Sequence, residues 1–246
     1  MSRLADLKVK IFADGADYEG MVQLARNPLI KGFTTNPSLM RKAGVSDYEA
    51  FARKVVGAIP DRPVSFEVFA DDFAGMAEQA RAIAAWGANV NVKIPVTNTR
   101  GQASSELIRT LSAEGIALNV TAIFTLDQVR SVADALAPGT PAIVSVFAGR
   151  IADTGVDPVP HMLACKQILG ARPRAELLWA SSRELLNIFH AEESGCDIVT
   201  VPNDFLAKLD LVGKDLIEYS RETVQAFHRD ATTAAYRINV RRVAAE

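Results

Sequence analysis

Short apolar runs alternate with longer segments of helical periodicity along almost the whole chain, and this alternation constrains the fold most strongly. Segments such as 72–86 and 102–114 place Ala, Leu and Ile at helical spacing. Glycines at 87, 115, 170 and 195 follow such segments, as helix stops do. The runs that we predict as strands are 10–14, 31–34, 64–69, 89–94, 117–121, 142–147, 176–181 and 197–201. Strand and helix in regular succession predict a parallel sheet with helical crossovers.

The length decides between the two main architectures with parallel strands. The chain has 246 residues, close to the ~250 typical of a single (β/α)8 barrel, and no Pro- or Ser-rich linker divides it. We therefore expect an α/β fold of one TIM barrel domain over 1–246, in preference to an open doubly wound sheet. The last helical stretch, about 214–236, either packs beneath the barrel or contacts a neighbouring subunit.

Charge and hydropathy exclude several kinds of partner. With 27 basic and 29 acidic residues the net charge is −2, so we expect no binding to nucleic acid or to an anionic membrane. No apolar stretch approaches the ~18 residues of a membrane span, and the first ten residues lack the apolar core of a secretory signal. The two cysteines, Cys165 and Cys196, cannot form a disulfide framework, and we expect them to stay reduced, with a single bridge between them as the alternative. We expect a cytoplasmic protein.

The common cofactor and metal motifs are missing from the sequence. No GxGxxG, GxxxxGK[ST], GxSxG, CxxC or HExxH segment occurs. The three histidines, His161, His190 and His228, are far apart in the chain. We therefore predict no metal site. The missing motifs also argue against a dinucleotide-binding protein, a P-loop protein and a serine hydrolase.

Within the predicted strands, polar and apolar residues alternate. In the fourth strand Asn91 and Lys93 share one face, and Val92 and Ile94 share the other. The corresponding faces of other strands carry Asp14, Ser65, Glu67, Asn119, Thr121, Ser145 and Phe147. In a barrel the apolar face packs on the outer helices, so these side chains would point inward near the carboxyl ends, where barrel enzymes place active sites. An antiparallel sheet with one solvated face gives the same alternation, but long helical connections argue against it.

Lys93 is the most informative member of this inward set. Partial burial favours the neutral form of a lysine amine, which attacks a carbonyl carbon. Asp14 and Glu67 on neighbouring strands are candidates for moving protons to and from substrate hydroxyls. The alternative is that Lys93 protects a sheet edge or only pairs with a carboxylate. The three residues together favour a Schiff-base site.

Polar residues also follow the second, sixth and seventh strands. Pro37 pushes Asn36 into an extended conformation at a strand end, where the segment is either a plain turn or a loop that binds hydroxyl groups. Arg150 and Arg183 follow successive late strands, and Ser181 precedes the second of them. Loops at this place in a barrel commonly bind phosphate, for which arginine offers a fork of donors. Solvated surface arginines are the alternative.

The residues named so far occur in segments that resemble the transaldolases, in particular the compact branch that also contains the fructose-6-phosphate aldolases. The matching segments run through nearly the whole chain and are KIFADGAD, GFTTNPSL, VSFEVFA, NVKIPVT, GIALNVTAIF, VSVFAGRI, ASSR and SGCDIVTVP. TTNPS together with the lysine of VKIP is a specific combination, whereas either alone is weak.

The resemblance implies a barrel in which Lys93 forms a Schiff base with a ketose phosphate, without a metal or an organic cofactor. Asp14 would be the acid/base at the hydroxyl group whose deprotonation breaks the carbon–carbon bond. Glu67 and Thr121 would hold a water molecule that shuttles protons. The implied substrate-binding residues are Asn36, Asn119 and Ser145 at the dihydroxyacetone portion, Arg150, Ser181 and Arg183 at the phosphate, and Thr35, Ser65 and Phe147 beside them.

Two positions bear on the activity. Transaldolases carry Glu at the position of Glu67 and Phe at that of Phe147, where the aldolase branch has Gln and Tyr. The resemblance thus implies transfer of a dihydroxyacetone unit from a ketose phosphate to an aldose phosphate, by a homo-oligomeric enzyme. Reversible cleavage that releases dihydroxyacetone is one alternative, and a barrel that binds sugar phosphates without turnover is another. Trp179, Ser182 and the DTGVDP segment depart from the familiar pattern and leave the exact sugar open.

Overall fold

The computed structural model of the chain describes residues 4–238, and these divide into two compact units, one ending at Leu209 and one beginning at Asp210. The predicted domain limits, residues 1 and 246, lie outside the described residues. Among residues 4–238, no helix combines the length and the apolar character needed to cross a bilayer.

The first unit is a closed barrel of parallel strands in sequential order, with the last strand paired to the first. Its strands are β1 (Lys10–Asp14), β2 (Ile30–Thr34), β3 (Val64–Glu67), β4 (Val90–Pro95), β5 (Leu118–Ile123), β6 (Ala142–Val146), β7 (Ala175–Trp179) and β8 (Ile198–Pro202). Its helices are α1 (Tyr18–Leu24), α2 (Pro37–Lys42), α3 (Tyr48–Ala58), α4 (Phe73–Ala84), α5 (Ser105–Ala113), α6 (Leu126–Ala135), α7 (Ala148–Ala152), α8 (Pro158–Leu169), α9 (Asn187–Glu193) and α10 (Asn203–Leu206). The predicted (β/α)8 barrel is confirmed.

Local sequence signals explain where several of the helices begin. Asp17, Asp47 and Asp72 precede α1, α3 and α4, and each side chain accepts a hydrogen bond from a backbone N–H of the first turn. Thr125 and Gln128 form a reciprocal capping box at α6. These caps satisfy donors that the helix itself leaves unpaired.

The main core lies between the strands and the helices. The outward faces of the strands carry β-branched residues that are fully buried, such as Val64, Val92 and Val144. Ile108 of α5 and Met162 of α8 are fully buried against the same core. The predicted apolar face therefore packs on the helices, as the alternation indicated.

A second, smaller cluster fills the inside of the barrel. Phe12, Ile143, Leu178 and Ile198 pack together there. Gly32 makes room for the phenylalanine, since a Cβ atom at that position would lie 2.5 Å from Phe12 Cζ. Two residues further along β1, β6 and β8 the inward side chains are polar. The apolar cluster therefore forms a floor for a polar layer at the carboxyl ends.

Three strands end two residues away from their predicted ends. β3 stops at Glu67 instead of 69, and in β5 and β7 a left-handed residue accompanies the difference. β7 stops at Trp179 instead of 181, and Ser181 has a left-handed φ of 64° that a strand cannot accommodate. β5 continues to Ile123 through an irregularity in its pairing with β6, where Ala122 has a φ of 59°. Both residues lie at the end of the barrel that carries the polar layer.

The two cysteines belong to the core. Cys165 and Cys196 are buried and free, so no disulfide joins them. Burial raises the pKa of the Cys165 thiol to about 11 and that of Cys196 to about 12. Both therefore behave as small apolar side chains.

The second unit, described over residues 210–238, is dominated by one helix, α11 (Leu216–Thr233). Asp215 caps it by accepting hydrogen bonds from the N–H groups of Ile217 and Glu218. The helix lies within the predicted stretch of 214–236 and contains no buried residue.

Candidate active site

The polar layer lines a cavity of about 480 Å³ at the carboxyl ends of the strands. The predicted site residues that line it are Asp14, Asn36, Glu67, Lys93, Asn119, Thr121, Ser145, Phe147, Arg150 and Ser181. Strands β1, β3, β4, β5 and β6 each contribute at least one of them, because alternate positions of a strand face inward. Sequence positions far apart in the chain thus converge on one space.

The Lys93 amine lies between two acceptors of different kinds. It donates a hydrogen bond of 2.8 Å to the Thr35 carbonyl oxygen, and its Nζ is 3.2 Å from Glu67 Oε2. The residue is 7% exposed, while Glu67 is paired with it directly across β3 and β4. The arrangement presents one buried amine and one carboxylate to the same part of the cavity.

Asp14 occupies the end of β1, where it is partly buried and lines the cavity. Burial raises the pKa of its carboxyl above the usual 3.8, against the opposing effects of the Lys93 charge and of a hydrogen bond from Thr34. That hydroxyl donates to Asp14 Oδ1 over 2.7 Å and lies 2.5 Å from the Thr200 hydroxyl. A carboxyl group with a raised pKa is suited to hold a proton and return it.

A chain of hydrogen bonds orients the amide of Asn119. The Ser145 hydroxyl donates to Asn119 Oδ1 over 2.6 Å, and Asn119 Nδ2 donates to Ser65 Oγ over 3.0 Å. Ser65 is fully buried and does not line the cavity. Its position in the structure is behind Asn119, where it fixes which way the amide faces.

Asn36 and Thr35 connect β2 to α2. Asn36 has φ −156° and ψ 162°, and its side chain caps α2 by accepting from Leu39 N over 3.0 Å. Pro37 follows as the first helical residue, so the extended conformation predicted before the proline is present. The Thr35 hydroxyl donates to the Ser65 carbonyl over 2.8 Å and is fully buried. Thr35 therefore faces Lys93 through its carbonyl group instead of its side chain.

The edge of the cavity contains a strained backbone segment. Ala122 lines the cavity with a left-handed φ of 59°, which costs an L-residue about 1–2 kcal/mol. It follows Thr121, which is buried and faces inward. The irregularity in the pairing of β5 with β6 therefore includes Thr121 as well as Ala122.

The two predicted phosphate arginines differ in their surroundings. Arg150 lines the cavity and lies over the Phe147 ring, 5.0 Å from its centroid. Arg183 does not line it, and its Nε lies 3.1 Å from both carboxylate oxygens of Asp153. One arginine of the pair is therefore directed at the cavity, and the other is held by a carboxylate from the α7 end.

Three residues near the site were missed by the sequence reasoning. Thr34 and Thr200 line the cavity beside Asp14. The alternation of Thr200 with two valines in β8 is the same signal that identified the other inward residues. Tyr48 bonds to the backbone of Glu67 from α3, and no sequence pattern distinguishes it from an ordinary core aromatic. Among residues 4–238, no group of three or more His, Cys, Asp and Glu side chains is arranged to hold a metal ion.

Comparison with known proteins identifies one family, and the named relatives agree with it. The model of a family described as Transaldolase/Fructose-6-phosphate aldolase matches residues 11–246. A protein named probable transaldolase from Methanococcus maripaludis (strain C5) is 39% identical over 202 residues, which are 82% of this chain and 89% of that protein. A probable transaldolase of Dehalococcoides mccartyi is 35% identical over 205 residues, 82% of this chain and 90% of the relative. The probable transaldolase 2 of Listeria monocytogenes is 36% identical over 202 residues, with 82% and 88% covered.

Proposed function

The chain belongs to the transaldolase/fructose-6-phosphate aldolase family, and we propose that it transfers a dihydroxyacetone unit from a ketose phosphate to an aldose phosphate through a Schiff base on Lys93. The observation that carries this proposal is the buried Lys93 amine, 3.2 Å from the Glu67 carboxylate, in a polar cavity that Asp14 also lines. A lysine amine with acid/base groups in the same cavity is the arrangement that suits imine-based aldol chemistry.

In the first stage, the neutral Lys93 amine attacks the keto carbon of the bound ketose phosphate. The resulting carbinolamine loses its hydroxyl group as water, and a carbon–nitrogen double bond forms. Protons must move from the amine to the departing hydroxyl group. The Glu67 carboxylate is in range of the Lys93 nitrogen, and we assign it this task together with a water molecule held by Thr121.

In the second stage, Asp14 removes the proton of the hydroxyl group on the carbon at the far end of the bond to be broken, two carbons from the imine carbon. The electron pair of the oxygen–hydrogen bond forms the aldehyde carbonyl. The pair of the carbon–carbon bond moves into the imine, which is protonated on nitrogen, and gives a neutral enamine. The fragment that carries the new aldehyde group leaves as the aldose phosphate product. The enamine then attacks the acceptor aldehyde, Asp14 returns its proton to the new alkoxide, and hydrolysis frees Lys93.

Residues at two ends of the cavity are placed to orient the substrate. Asn119 and Ser145 offer a fixed amide and a hydroxyl group at the dihydroxyacetone end, and Asn36 lines the same cavity. Arg150 lines the cavity without a carboxylate partner among residues 4–238, so we assign it the phosphate together with Ser181. Arg183 joins them by exchanging Asp153 for the phosphate group.

Phe147 favours transfer over simple cleavage. Its ring lines the cavity and packs at 5.7 Å from the ring of Phe124. A phenyl ring has no hydroxyl group to deliver a proton to the enamine. The enamine therefore waits for an acceptor aldehyde instead of being released as dihydroxyacetone.

We also propose that the protein is a cytoplasmic homo-oligomer. Both of its cysteines are free thiols, which suits a reducing compartment. The helix α11 exposes the apolar side chains of Ile217, Val224 and Phe227, and a second copy of the chain is the partner that would cover them.

Product analysis separates the proposed transfer from its alternatives. The enzyme is incubated with fructose 6-phosphate, with and without a four-carbon aldose phosphate, and the products are separated by chromatography. We expect a new ketose phosphate only when the acceptor is present, and little free dihydroxyacetone without it. Steady release of dihydroxyacetone in the absence of an acceptor would replace transfer by aldol cleavage. Substrate binding without any product would leave a sugar-phosphate-binding barrel.

A further inference from the structure

Tyr48 bonds to the end of β3, which is paired with β4 on one side but has no β2 partner on the other. The β2–β3 ladder consists of the pairs Phe33 with Val64 and Thr34 with Ser65, and beyond it Thr35 N donates to the Ser65 carbonyl. After Thr35 the chain turns away into α2. The backbone of Glu67, two residues further along β3, therefore has no strand residue of β2 beside it.

The Tyr48 hydroxyl takes the place of that missing residue. It accepts a hydrogen bond of 2.8 Å from the N–H of Glu67 and donates one of 2.9 Å to the carbonyl of the same residue. One side-chain oxygen thus makes both hydrogen bonds that a continued β2 strand would have made with Glu67. On the other side of β3, Val68 N donates to the Lys93 carbonyl over 3.2 Å. The backbone around Glu67 is held from both sides.

The surroundings of Tyr48 keep this hydroxyl in one place. Its ring packs edge-on against Phe66, Phe69 and Trp86, with centroid distances of 6.1, 4.5 and 5.7 Å. Burial raises the pKa of the phenol, so the proton that it donates is retained throughout the physiological range. Tyr48 is also the first residue of α3, whose start is fixed by the Asp47 cap.

We infer that Tyr48 is a positioning residue, which fixes the Glu67 carboxylate at its distance from the Lys93 amine by anchoring the Glu67 backbone. The inference rests on the proposed function, in which Glu67 moves protons during formation and hydrolysis of the imine. Tyr48 itself does not line the cavity. Its effect on the reaction therefore passes entirely through Glu67.

The test compares the rate of imine formation in the wild type with that in Tyr48→Phe, which keeps the ring and removes the hydroxyl. Each variant is mixed with fructose 6-phosphate, quenched with borohydride at set times, and measured by intact-protein mass spectrometry. All rates are taken at a temperature where circular dichroism shows each variant to be folded. We expect Tyr48→Phe to be slower by about tenfold to hundredfold, the scale for a proton-transfer group displaced by ~1 Å, with the KM changed far less.

A matched control and a rescue variant separate positioning from general damage. Tyr18→Phe also removes a tyrosine hydroxyl, one that makes no hydrogen bond within residues 4–238, and should react at the wild-type rate. Incorporation of 3-fluorotyrosine at position 48 keeps the hydroxyl, and should restore most of the rate lost in Tyr48→Phe.

Glu67→Gln supplies the decisive comparison. If Tyr48 acts only through Glu67, Tyr48→Phe should change the rate by less than about twofold once Glu67→Gln is present, because two changes in one unit are not additive. An equal loss in both backgrounds, or a wild-type rate in Tyr48→Phe, overturns the inference. Absence of a trapped imine in the wild type overturns the proposed function instead, so the two failures are distinguishable.

Discussion

At the residue scale, two different groups contact the Lys93 amine. One is a backbone carbonyl, which does not ionise, and the other is a carboxylate, which can take up a proton. The Thr35 carbonyl accepts a hydrogen bond from a lysine nitrogen in either protonation state, and thus fixes its place. The Glu67 carboxylate, 3.2 Å from the same nitrogen, is the neighbour that we propose exchanges a proton with it. Positioning and proton transfer are thereby assigned to different neighbours.

Asp14 combines a proposed catalytic task with a cost in stability. Because burial raises its pKa in the folded chain above 3.8, the folded state binds the proton more tightly than the unfolded state does. The free energy of unfolding therefore falls as the pH rises from 3.8 through the folded pKa. Asp14→Asn, which keeps an acceptor for Thr34, should raise the melting temperature at pH 7.5, by an amount that shrinks as the pH approaches 3.8.

The same variant should lose about 10²–10⁴ in transfer rate, the usual contribution of an acid/base group. Differential scanning calorimetry over a pH series and product assays measure the two effects. Asp61→Asn is the control, because the Asp61 side chain is 69% exposed and should change neither quantity. A melting temperature for Asp14→Asn below that of the wild type at every pH would contradict the account.

The two arginines give a prediction about the phosphate end. A charge-assisted hydrogen bond contributes about 1.5–3 kcal/mol, so Arg150→Ala should raise the KM for fructose 6-phosphate by roughly ten- to a hundredfold. Imine formation from dihydroxyacetone, which carries no phosphate, should change little. Arg183→Ala should have a smaller effect, because this side chain must first leave Asp153. An unchanged KM for the phosphorylated sugar in Arg150→Ala would remove Arg150 from the phosphate site.

At the element scale, the start of α7 lies against the loop that follows β7. Gly149 N donates to the Ala180 carbonyl over 3.2 Å, and a Cβ atom at Gly149 would lie 1.7 Å from the Ser181 carbonyl oxygen. Since Ser181 and Arg150 both line the cavity, this close approach sets the spacing of the phosphate end. Only glycine fits there.

Gly149→Ala should therefore lower the free energy of unfolding by about 3 kcal/mol or more, as backbone clashes in well-packed regions do. Gly57→Ala is the matched control, since no atom lies within 4 Å of its added methyl group. Placed within α3, it should gain about 0.5–1 kcal/mol. Urea unfolding measures both. Equal free energies of unfolding for the two variants would contradict this prediction, because they would mean that the loop after β7 shifts at little cost.

The sequence predicts the elements of this fold well because the alternation of polar and apolar residues along a strand shows which side chains point into the barrel and which point toward the helices. Each predicted strand overlaps an observed one, and the inward positions of β1, β3, β4, β5 and β6 could be assigned from the pattern alone. The positions at which strands end are harder to predict from the sequence. Where β7 ends depends on the left-handed backbone of Ser181, and the end of β3 is anchored by Tyr48 from another element. The ion pair of Arg183 with Asp153 likewise depends on tertiary contacts that no local pattern encodes.

At the scale of the whole molecule, α11 carries an apolar stripe. Ile217, Val224 and Phe227 are spaced at seven and three residues, and are 83%, 63% and 68% exposed. This is the spacing of a helix seam that packs against a partner helix. Exposed apolar residues in such a row are typical of an interaction surface, which supports the proposed homo-oligomer.

Phe227→Glu places a charge at the C-terminal end of this stripe and should reduce the molecular mass measured by analytical ultracentrifugation. Gln225→Glu adds the same charge on the same helix outside the stripe, and should leave the mass unchanged. The same mass for Phe227→Glu and the wild type would exclude α11 from the oligomer contact. A monomeric wild type would exclude the oligomer itself.

The proposed transfer depends on a covalent imine between Lys93 and the substrate, and reduction with borohydride traps this imine. The protein is incubated with fructose 6-phosphate, reduced with borohydride and digested, and the modified peptide is sequenced by mass spectrometry. Lys31→Ala, which removes an exposed lysine of β2, serves as the control. We predict one adduct, on Lys93, that is lost in Lys93→Ala and kept in Lys31→Ala. An unmodified Lys93 in the wild type, or an adduct that persists in Lys93→Ala, would contradict the account.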